Sequence, residues 1–462
     1  MAKPTRRDEP RYSSPDERRA AGKALRDAAP RDTHADWEPP RDRRDPIDLL
    51  NESNEGRLQQ LIPIRFGRMM QSPFAFYRGS ACIMAADLAR TPVSGIRVQA
   101  CGDAHLANFG GFATPERQII FDINDFDETL PAPWEWDVKR LAASFVLAGR
   151  YIQLSETDSA RAVRAMLRSY REHVADYSEM RVLDVWYDTI NVDRFLEAIE
   201  ADAEGVRERV EERLERLREK NTPEFLFPKF VQDRGGEPKI IDHPPLIFHP
   251  TQEIAPGLVS HYTNGFQSYR ASLSDALRIL FDRYHFCDLA MKVVGVGSVG
   301  TQCAIALFMA SDNDPIFLQI KQAVPSVLEP YAGKSKYGHH GQRVVAGQRL
   351  MQSASDLFLG WGTGDNGRDF YVRQLRDMKM SAVIEDFSAS DLRAYGRVCG
   401  WALARAHARS GDVAMIAGYL GSSEAYDNAV CDFAVAYADQ VQRDYRAFVK
   451  GVRQGRIAAM TE

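Results

Sequence analysis

The chain has 462 residues, of which 44% are hydrophobic and 27% charged, with a net charge of −5. That composition is ordinary for a globular chain and supports a sizeable core, while the charge gives no electrostatic reason to expect nucleic acid or anionic lipid as a bulk partner. Six scattered cysteines without a C-x-x-C pair, no long apolar run and no apolar segment after the opening Met-Ala-Lys-Pro-Thr-Arg-Arg argue against a disulfide framework, a zinc site, a membrane span and a secretory signal, so a cytoplasmic location is expected.

Residues 1–45 are rich in Arg, Asp, Glu and Pro and poor in large apolar side chains. They read as a disordered or loosely docked tail, because such a stretch buries too little surface to offset its ordering entropy. Order is expected to begin near Pro46. From Leu58 to Arg90, helix-like segments alternate with the turn Gln71-Ser72-Pro73. Ile96-Arg97-Val98-Gln99 reads as a strand. Phe109 to Phe112 and Gln118 to Ile123 read as a hairpin around Thr114-Pro115-Glu116-Arg117. Val138, Leu141, Ala142, Phe145 and Gly149 share one face of a helix beginning near Glu135. Residues 193–220 read as charge-laced helix and 221–257, with several prolines, as an irregular connection. A helix from 258 to about 282 precedes a strand over Asp288 to Val294. Strands over Cys303 to Met309 and Ile316 to Lys321 flank the turn Asp312-Asn313-Asp314-Pro315. A helix near 340–355, a strand over Phe370 to Leu375 and C-terminal helices complete the chain. In the last of these, Leu392, Tyr395, Cys399, Ala402, Leu403 and Ala406 form one apolar face.

Four parts are needed to transfer phosphate from ATP: a backbone cradle, a lysine, oxygen ligands for magnesium, and a carboxylate beside the attacking hydroxyl. Asp103 and Asn108, in Cys101-Gly102-Asp103-Ala104-His105-Leu106-Ala107-Asn108, have the Asp-to-Asn interval of kinase catalytic loops. Carboxylate and amide oxygens suit a hard cation. Three more carboxylates follow in Phe121-Asp122-Ile123-Asn124-Asp125-Phe126-Asp127-Glu128. Asp125 matches the Asp-Phe pattern of the second metal ligand. Asp122 is nearer to Asn108 in spacing, so both stand as metal candidates. Gly295-Val296-Gly297-Ser298-Val299-Gly300 is a G-x-G-x-x-G run. A dinucleotide-binding turn has a helix next. Here a strand follows, then a second strand ending in Lys321, as in the strand, glycine turn, strand, lysine order of a kinase. Gly295, Gly297, Ser298, Gly300 and Lys321 are therefore the nucleotide-binding candidates. Glu329 is the candidate carboxylate partner of Lys321, with Gln342 and Gln348 as alternatives on the helix near 340–355. Arg68 and Arg78, flanking the Ser72-Pro73 turn, are candidates for an anion or for structural ion pairs.

The parts stand in the wrong order for an ordinary kinase. Ala402-Leu403-Ala404-Arg405-Ala406-His407-Ala408 resembles the helix that leads into the catalytic loop of aminoglycoside and choline kinases, yet it lies near the C-terminus. A circular permutation restores the order. Trp134-Glu135-Trp136-Asp137-Val138-Lys139-Arg140-Leu141-Ala142 resembles the helix whose aspartate braces that loop. Asp137 is a candidate for that role or for a helix cap. Taken with Ser72-Pro73-Phe74-Ala75-Phe76-Tyr77-Arg78-Gly79, Asn124-Asp125-Phe126-Asp127-Glu128-Thr129, Gly297-Ser298-Val299-Gly300-Thr301 and Ser326-Val327-Leu328-Glu329-Pro330-Tyr331, the loop makes the chain resemble the family called domain of unknown function 2252. The resemblance covers roughly residues 46–450 and implies a kinase-like fold without a settled substrate. Related small-molecule kinases place one His two residues before the loop Asp, where this chain has Cys101, and a second at the position of His105. Asp103 and His105 are accordingly the catalytic candidates.

The expected fold is α+β, two-lobed, kinase-like and circularly permuted. Residues 46–284 form a helical lobe with a helical insertion, 285–380 a nucleotide-binding β lobe, and 381–462 the helices that complete the helical lobe. The expected activity is ATP- and Mg2+-dependent phosphoryl transfer to an unidentified small-molecule or protein acceptor. AMP transfer from the same site, a nucleotide-binding pseudokinase, and a dinucleotide-binding oxidoreductase are the competing readings.

Overall fold

In the computed structural model the described residues are 13–200, 207, 208, 211, 212, 215, 227, 230–233, 237–249, 258–293, 295–297, 299–312, 314–375 and 380–460. Most of the helix expected over 193–220 lies outside them, as do Val294, Ser298 and Asn313. The architecture is mixed α+β, with long helices and small antiparallel sheets. Among the described residues, no helix is long and apolar enough to cross a membrane.

The N-terminal segment departs from expectation. Residues 15–24 form helix α1 (Pro15–Ala24), capped by a Ser14–Glu17 capping box, and it packs on a helix near the other end of the chain. The reason is close backbone approach. A Cβ added at Gly22 would lie 2.0 Å from the Met415 carbonyl oxygen, and one at Gly418 2.0 Å from that of Arg19. Arg26 then donates to the carbonyls of Gly418 and Tyr419. Paired glycines and arginine-to-carbonyl bonds hold a segment that apolar content alone leaves loose. His34 follows, fully buried, with Nε2 2.7 Å from the Tyr419 hydroxyl, which itself donates to the Ala29 carbonyl. Burial first, and then the charge of Lys139, pushes the His34 pKa down to about 3. The unfolded imidazole titrates near ~6.5, so below that pH the unfolded chain takes up the proton more readily. The contribution of His34 to stability is therefore complete above about 6.5 and is lost as the pH falls toward 3. In urea unfolding across that range, the free-energy difference between wild type and His34→Gln should shrink as the pH drops; a constant difference refutes the assignment.

Among the further helices that precede the first sheet residues are α2 (Ile62–Met69) and α3 (Pro73–Arg78). Helix α3 begins where the turn at 71–73 was expected: Ser72 caps it through Ala75 N–H, and Pro73 fits the first turn. Strand β1 (Arg97–Ala100) leads into the Cys101–Asn108 loop. The hairpin β2 (Phe109–Ala113) and β3 (Ile119–Ile123) follows, then β4 (Leu130–Pro133), which pairs back on β1. Helices α4 (Trp134–Tyr151) and α5 (Glu156–Glu179) come next, with α4 buried almost throughout.

The expected connection over 221–257 contains short strands, of which β5 (Ile247–Phe248) joins the edge of the largest sheet. The helix expected over 258–282 is two, α6 (Leu258–Ser272) and the separate Asp275–Phe281, divided at Ser274, whose extended backbone starts the second. Then β6 (His285–Lys292), β7 (Cys303–Met309), β8 (Pro315–Gln322), α7 (His340–Met351), β9 (Gly360–Thr363) and β10 (Asp369–Gln374) build a six-stranded antiparallel sheet of order β9-β10-β8-β7-β6-β5. Strand β7 is buried at every position because both sheet faces are covered. Ala304, Ala306 and Phe308 face Tyr262 and Tyr269 of α6, whereas Ile305, Leu307 and Met309 face Val231, Ile240 and Ile247. The period-two alternation thus divides one apolar run between two cores. A short β11 (Met380–Ser381) pairs with β2. Helices α8 (Ala389–Ser410), α9 (Val413–Leu420) and α10 (Ala425–Arg453) close the chain, and α8 packs most extensively on α5.

Candidate active-site cleft

The Cys101–Asn108 loop is fixed from below by α4. Asp137 accepts from the backbone N–H of Cys101 at 2.6 Å and of Gly102 at 2.9 Å. Asp137 is therefore a brace for the loop and no helix cap. His407 of α8 reaches the same carboxylate, Nε2 to Oδ2 at 3.4 Å, while its Nδ1 lies 2.8 Å from the Tyr170 hydroxyl. Gly102 has φ +83°, and a Cβ there would lie 2.3 Å from the Glu128 carbonyl oxygen, so only glycine fits where the loop meets the acidic segment. Leu106 N–H donates to Ser144, and Tyr395 donates to the Leu106 and Phe109 carbonyls.

Asp103 projects from this frame. Arg140, one turn beyond Asp137 on α4, donates its Nε to Asp103 Oδ1 at 2.7 Å. Burial raises the Asp103 pKa, with Arg140 opposing. His105 Nε2 lies 4.0 Å from Asp103 Oδ2. Burial, Arg78 and Arg140 push the His105 pKa well below its usual value, so it is a neutral imidazole. Asn108 commits its amide nitrogen to the Asp103 carbonyl at 2.7 Å, which leaves its side-chain oxygen as the available acceptor.

The acidic segment meets the sheet. Lys321, near the end of β8, places Nζ 2.6 Å from Asp127 Oδ2 and 3.7 Å from Asp125 Oδ2. Tyr371 of β10 donates to Asp127 Oδ1 at 2.6 Å. Burial alone would raise Asp127; Lys321 and Tyr371 outweigh it and hold the carboxyl down at about 2. Burial likewise works against the charge on Lys321, and Asp125 and Asp127 override it, so its pKa lies well above the usual value. Arg343 of α7 ties the segment's backbone down, donating to the carbonyls of Thr129, Asp127 and Val324.

Opposite lies the glycine turn. Arg57 Nη1 donates to the carbonyls of Gly297 and Val299, both at 2.8 Å; Arg68 donates to Gly295 at 2.7 Å; and Leu58 N–H donates to Gly300 at 2.7 Å. Four carbonyls of the turn are thus held by residues 57–68.

One cavity of about 650 Å³ is lined by Asp103, His105, Asn108, Asp125, Asp127, Lys321, Gly295 and Gly297 together, within the size range of small-molecule sites. Three candidates, Asp122, Glu329 and Gly300, fall outside the cleft. Asp122 does not face the cleft: fully buried, it pairs with Arg405 of α8 at 2.5 Å and accepts from Ser353 N–H, because β3 packs against α8 and that helix supplies its counter-charge. Glu329 is neither in the cavity lining nor paired with Lys321; Asp127 takes that place. Gln348 lines the cleft, and Gln342 does not. Gly300 packs against Arg57 and Ile62, outside the cavity lining. Ser298 lies outside the described residues. Sequence reasoning missed Arg140, Arg343, Tyr371 and Arg57. Only Arg140 left a signal, three positions after Asp137 and hence on the same helix face.

The chain is a mixed α+β protein with a charged cleft lined by its largest sheet, the Cys101–Asn108 loop and the acidic segment after β3. It belongs to the family described as "Uncharacterized protein conserved in bacteria (DUF2252)", which matches residues 57–451. No curated protein and no solved structure matches it.

Proposed function

We propose that this protein is an ATP- and Mg2+-dependent phosphotransferase on a circularly permuted kinase-like fold. The observation that carries the reading is the convergence of Asp103, Asn108, Asp125, Lys321 and the glycine turn on one cavity, although Lys321 stands 194 residues from its partner Asp127. Residues 285–380 act as the nucleotide-binding β lobe. Residues 46–284 and 381–462 together form the helical lobe, and the segment before 46 braces it. The permutation is supported by the end of α8. A Cβ at Gly411 would lie 3.2 Å from the Arg97 carbonyl oxygen, so the helix that resembles the one before a kinase catalytic loop finishes against the strand that enters this loop.

The roles follow from the geometry. The backbone N–H groups of the glycine turn are positioned by carbonyls already bound to Arg57, Arg68 and Leu58, which suits a phosphate cradle. Lys321 neutralises phosphate oxygens. Asn108 and Asp125 offer hard oxygen donors, and no group of three or more His, Cys, Asp or Glu among the described residues forms a metal cage. Asn108 and Asp125 would hold a magnesium ion, which would supply neutralisation of phosphate charge. Asp103 orients the acceptor hydroxyl and takes its proton; His105 shapes the wall beside it as a neutral group. Nucleotide-dependent AMP transfer uses the same parts.

One observation favours a nucleotide-binding module without turnover. Arg140 already engages Asp103, which occupies one of its carboxylate oxygens and opposes the rise that burial gives its pKa. Titration calorimetry with Mg-ATP and incubation with γ-labelled ATP separate the readings. Binding that weakens at least tenfold in Lys321→Met and loses its magnesium dependence in Asp125→Asn, together with label transfer or release, is expected. Binding without either points to the inactive module, and no binding refutes both.

A further inference from the structure

We infer that the acceptor end of the cleft is built to hold an oxyanion, a carboxylate or a phosphate carried by the hydroxyl compound, on the guanidinium of Arg78. The assignment of this end to the acceptor rests on the role proposed for Asp103.

Arg78 is the last residue of α3 and lines the cavity beside Asp103, His105 and Gly297. Its backbone carbonyl lies 3.3 Å from where a Gly297 Cβ would stand, so it sits under the glycine turn. Among the described residues its side chain makes no hydrogen bond or ion pair, and its Nε is buried without a partner. Its guanidinium is held 5.8 Å from the Phe74 ring centroid. A half-buried cation whose Nε is fully buried is costly unless something compensates it. The nearby carboxylates are already engaged: Asp103 by Arg140, and Glu385 by the Tyr151 hydroxyl. Nδ1 of the buried His105 is a second polar atom here without a partner.

Position separates Arg78 from the nucleotide end. The charged groups that act most strongly on Arg78 are Asp103, Glu385 and Tyr151, whereas those that act most strongly on Lys321 are Asp125, Asp127, Tyr371 and Arg373. Asp103 is influenced both by Asp125 and by Arg78. It therefore stands between Lys321 and the unpaired Arg78. A planar guanidinium with its fork unspent is suited to a carboxylate or phosphate. Held there, the anionic group leaves a neighbouring hydroxyl of the same molecule beside Asp103.

The test is calorimetric titration of inorganic phosphate, with acetate in a parallel arm, into the full chain with and without saturating Mg2+ and the non-hydrolysable analogue AMP-PNP. At least one of the two anions is expected to bind with the analogue present, and the tighter of them names the acceptor's anionic group. Arg78→Gln should weaken that binding at least tenfold while changing AMP-PNP affinity less than twofold. Arg78→Lys, which keeps the charge and loses the fork, should weaken it severalfold and serves if the glutamine variant does not fold. Anion binding that survives both substitutions, that the analogue abolishes, or that is absent in the wild type overturns the proposal. So does a large loss of AMP-PNP affinity in Arg78→Gln, which assigns the arginine to the donor phosphates. If AMP-PNP does not bind at all, the phosphotransferase reading fails, and Arg78-dependent anion binding in the nucleotide-free protein then decides the anion site by itself.

Discussion

Asp103→Asn is expected to lower label transfer from ATP by about 10²- to 10⁴-fold, the usual contribution of a positioned acid–base group, with Mg-ATP affinity changed only severalfold. The asparagine is chosen because it keeps an oxygen acceptor opposite Arg140 Nε. Asp103→Ala removes that acceptor and leaves the buried Arg140 guanidinium uncompensated. Asp103 retains about a fifth of its side-chain exposure, so the alanine variant should lose about 3 kcal/mol, the lower end for breaking a buried pair. Transfer rates, calorimetric affinity and a thermal melt on both variants separate the two effects. Wild-type turnover in Asp103→Asn would remove Asp103 from the chemistry.

Arg405→Met should destabilise the fold by about 3–5 kcal/mol, because it strands the carboxylate of Asp122 in a dry interior. Both side chains are fully buried, so water cannot substitute for the lost partner. The double variant Arg405→Met/Asp122→Asn should recover most of the loss, and a double-mutant cycle from urea unfolding measures the coupling. Asp122→Asn alone should leave magnesium-dependent nucleotide binding unchanged, unlike Asp125→Asn. If instead Asp122→Asn abolishes the magnesium dependence, the division of labour between these two aspartates is reversed.

That contrast marks how far the sequence was legible. Spacing identified Asp122 and Asp125 as equivalent candidates. Tertiary partners separate them: Asp122, within β3 opposite Gly110, is committed to Arg405 of α8, whereas Asp125, two residues beyond the strand, lies beside Lys321. The Asp103–Asn108 interval, the 295–300 turn, Lys321 and Asp137 were legible because each is a local pattern with a chemical reason. The partner of Lys321 was not, because α7 carries no acidic residue between His340 and Met351, and the compensating carboxylate comes from Asp127, distant in sequence. Arg57 and Arg343 act on backbone carbonyls, and such contacts leave no side-chain complementarity to read. Docking of α1 escaped for a related reason: it depends on what two glycines lack. The hairpin, α4 and the strands from 285 to 322 were predictable because hydrophobic period and turn residues agreed there.

The brace between His407 and Asp137 spans 270 residues of chain. At a synthesis rate of about 5–20 residues per second, roughly a quarter of a minute to a minute passes between the two emerging from the ribosome. During that interval the Cys101–Asn108 loop and its acidic neighbours exist without α8 and, for much of it, without Lys321. The cleft is thus among the last features a growing chain can assemble, and a truncated product ending before residue 389 carries the loop without its support. Late closure of this kind slows folding and leaves an unfinished, carboxylate-rich surface for holding chaperones to shield until the last helices arrive.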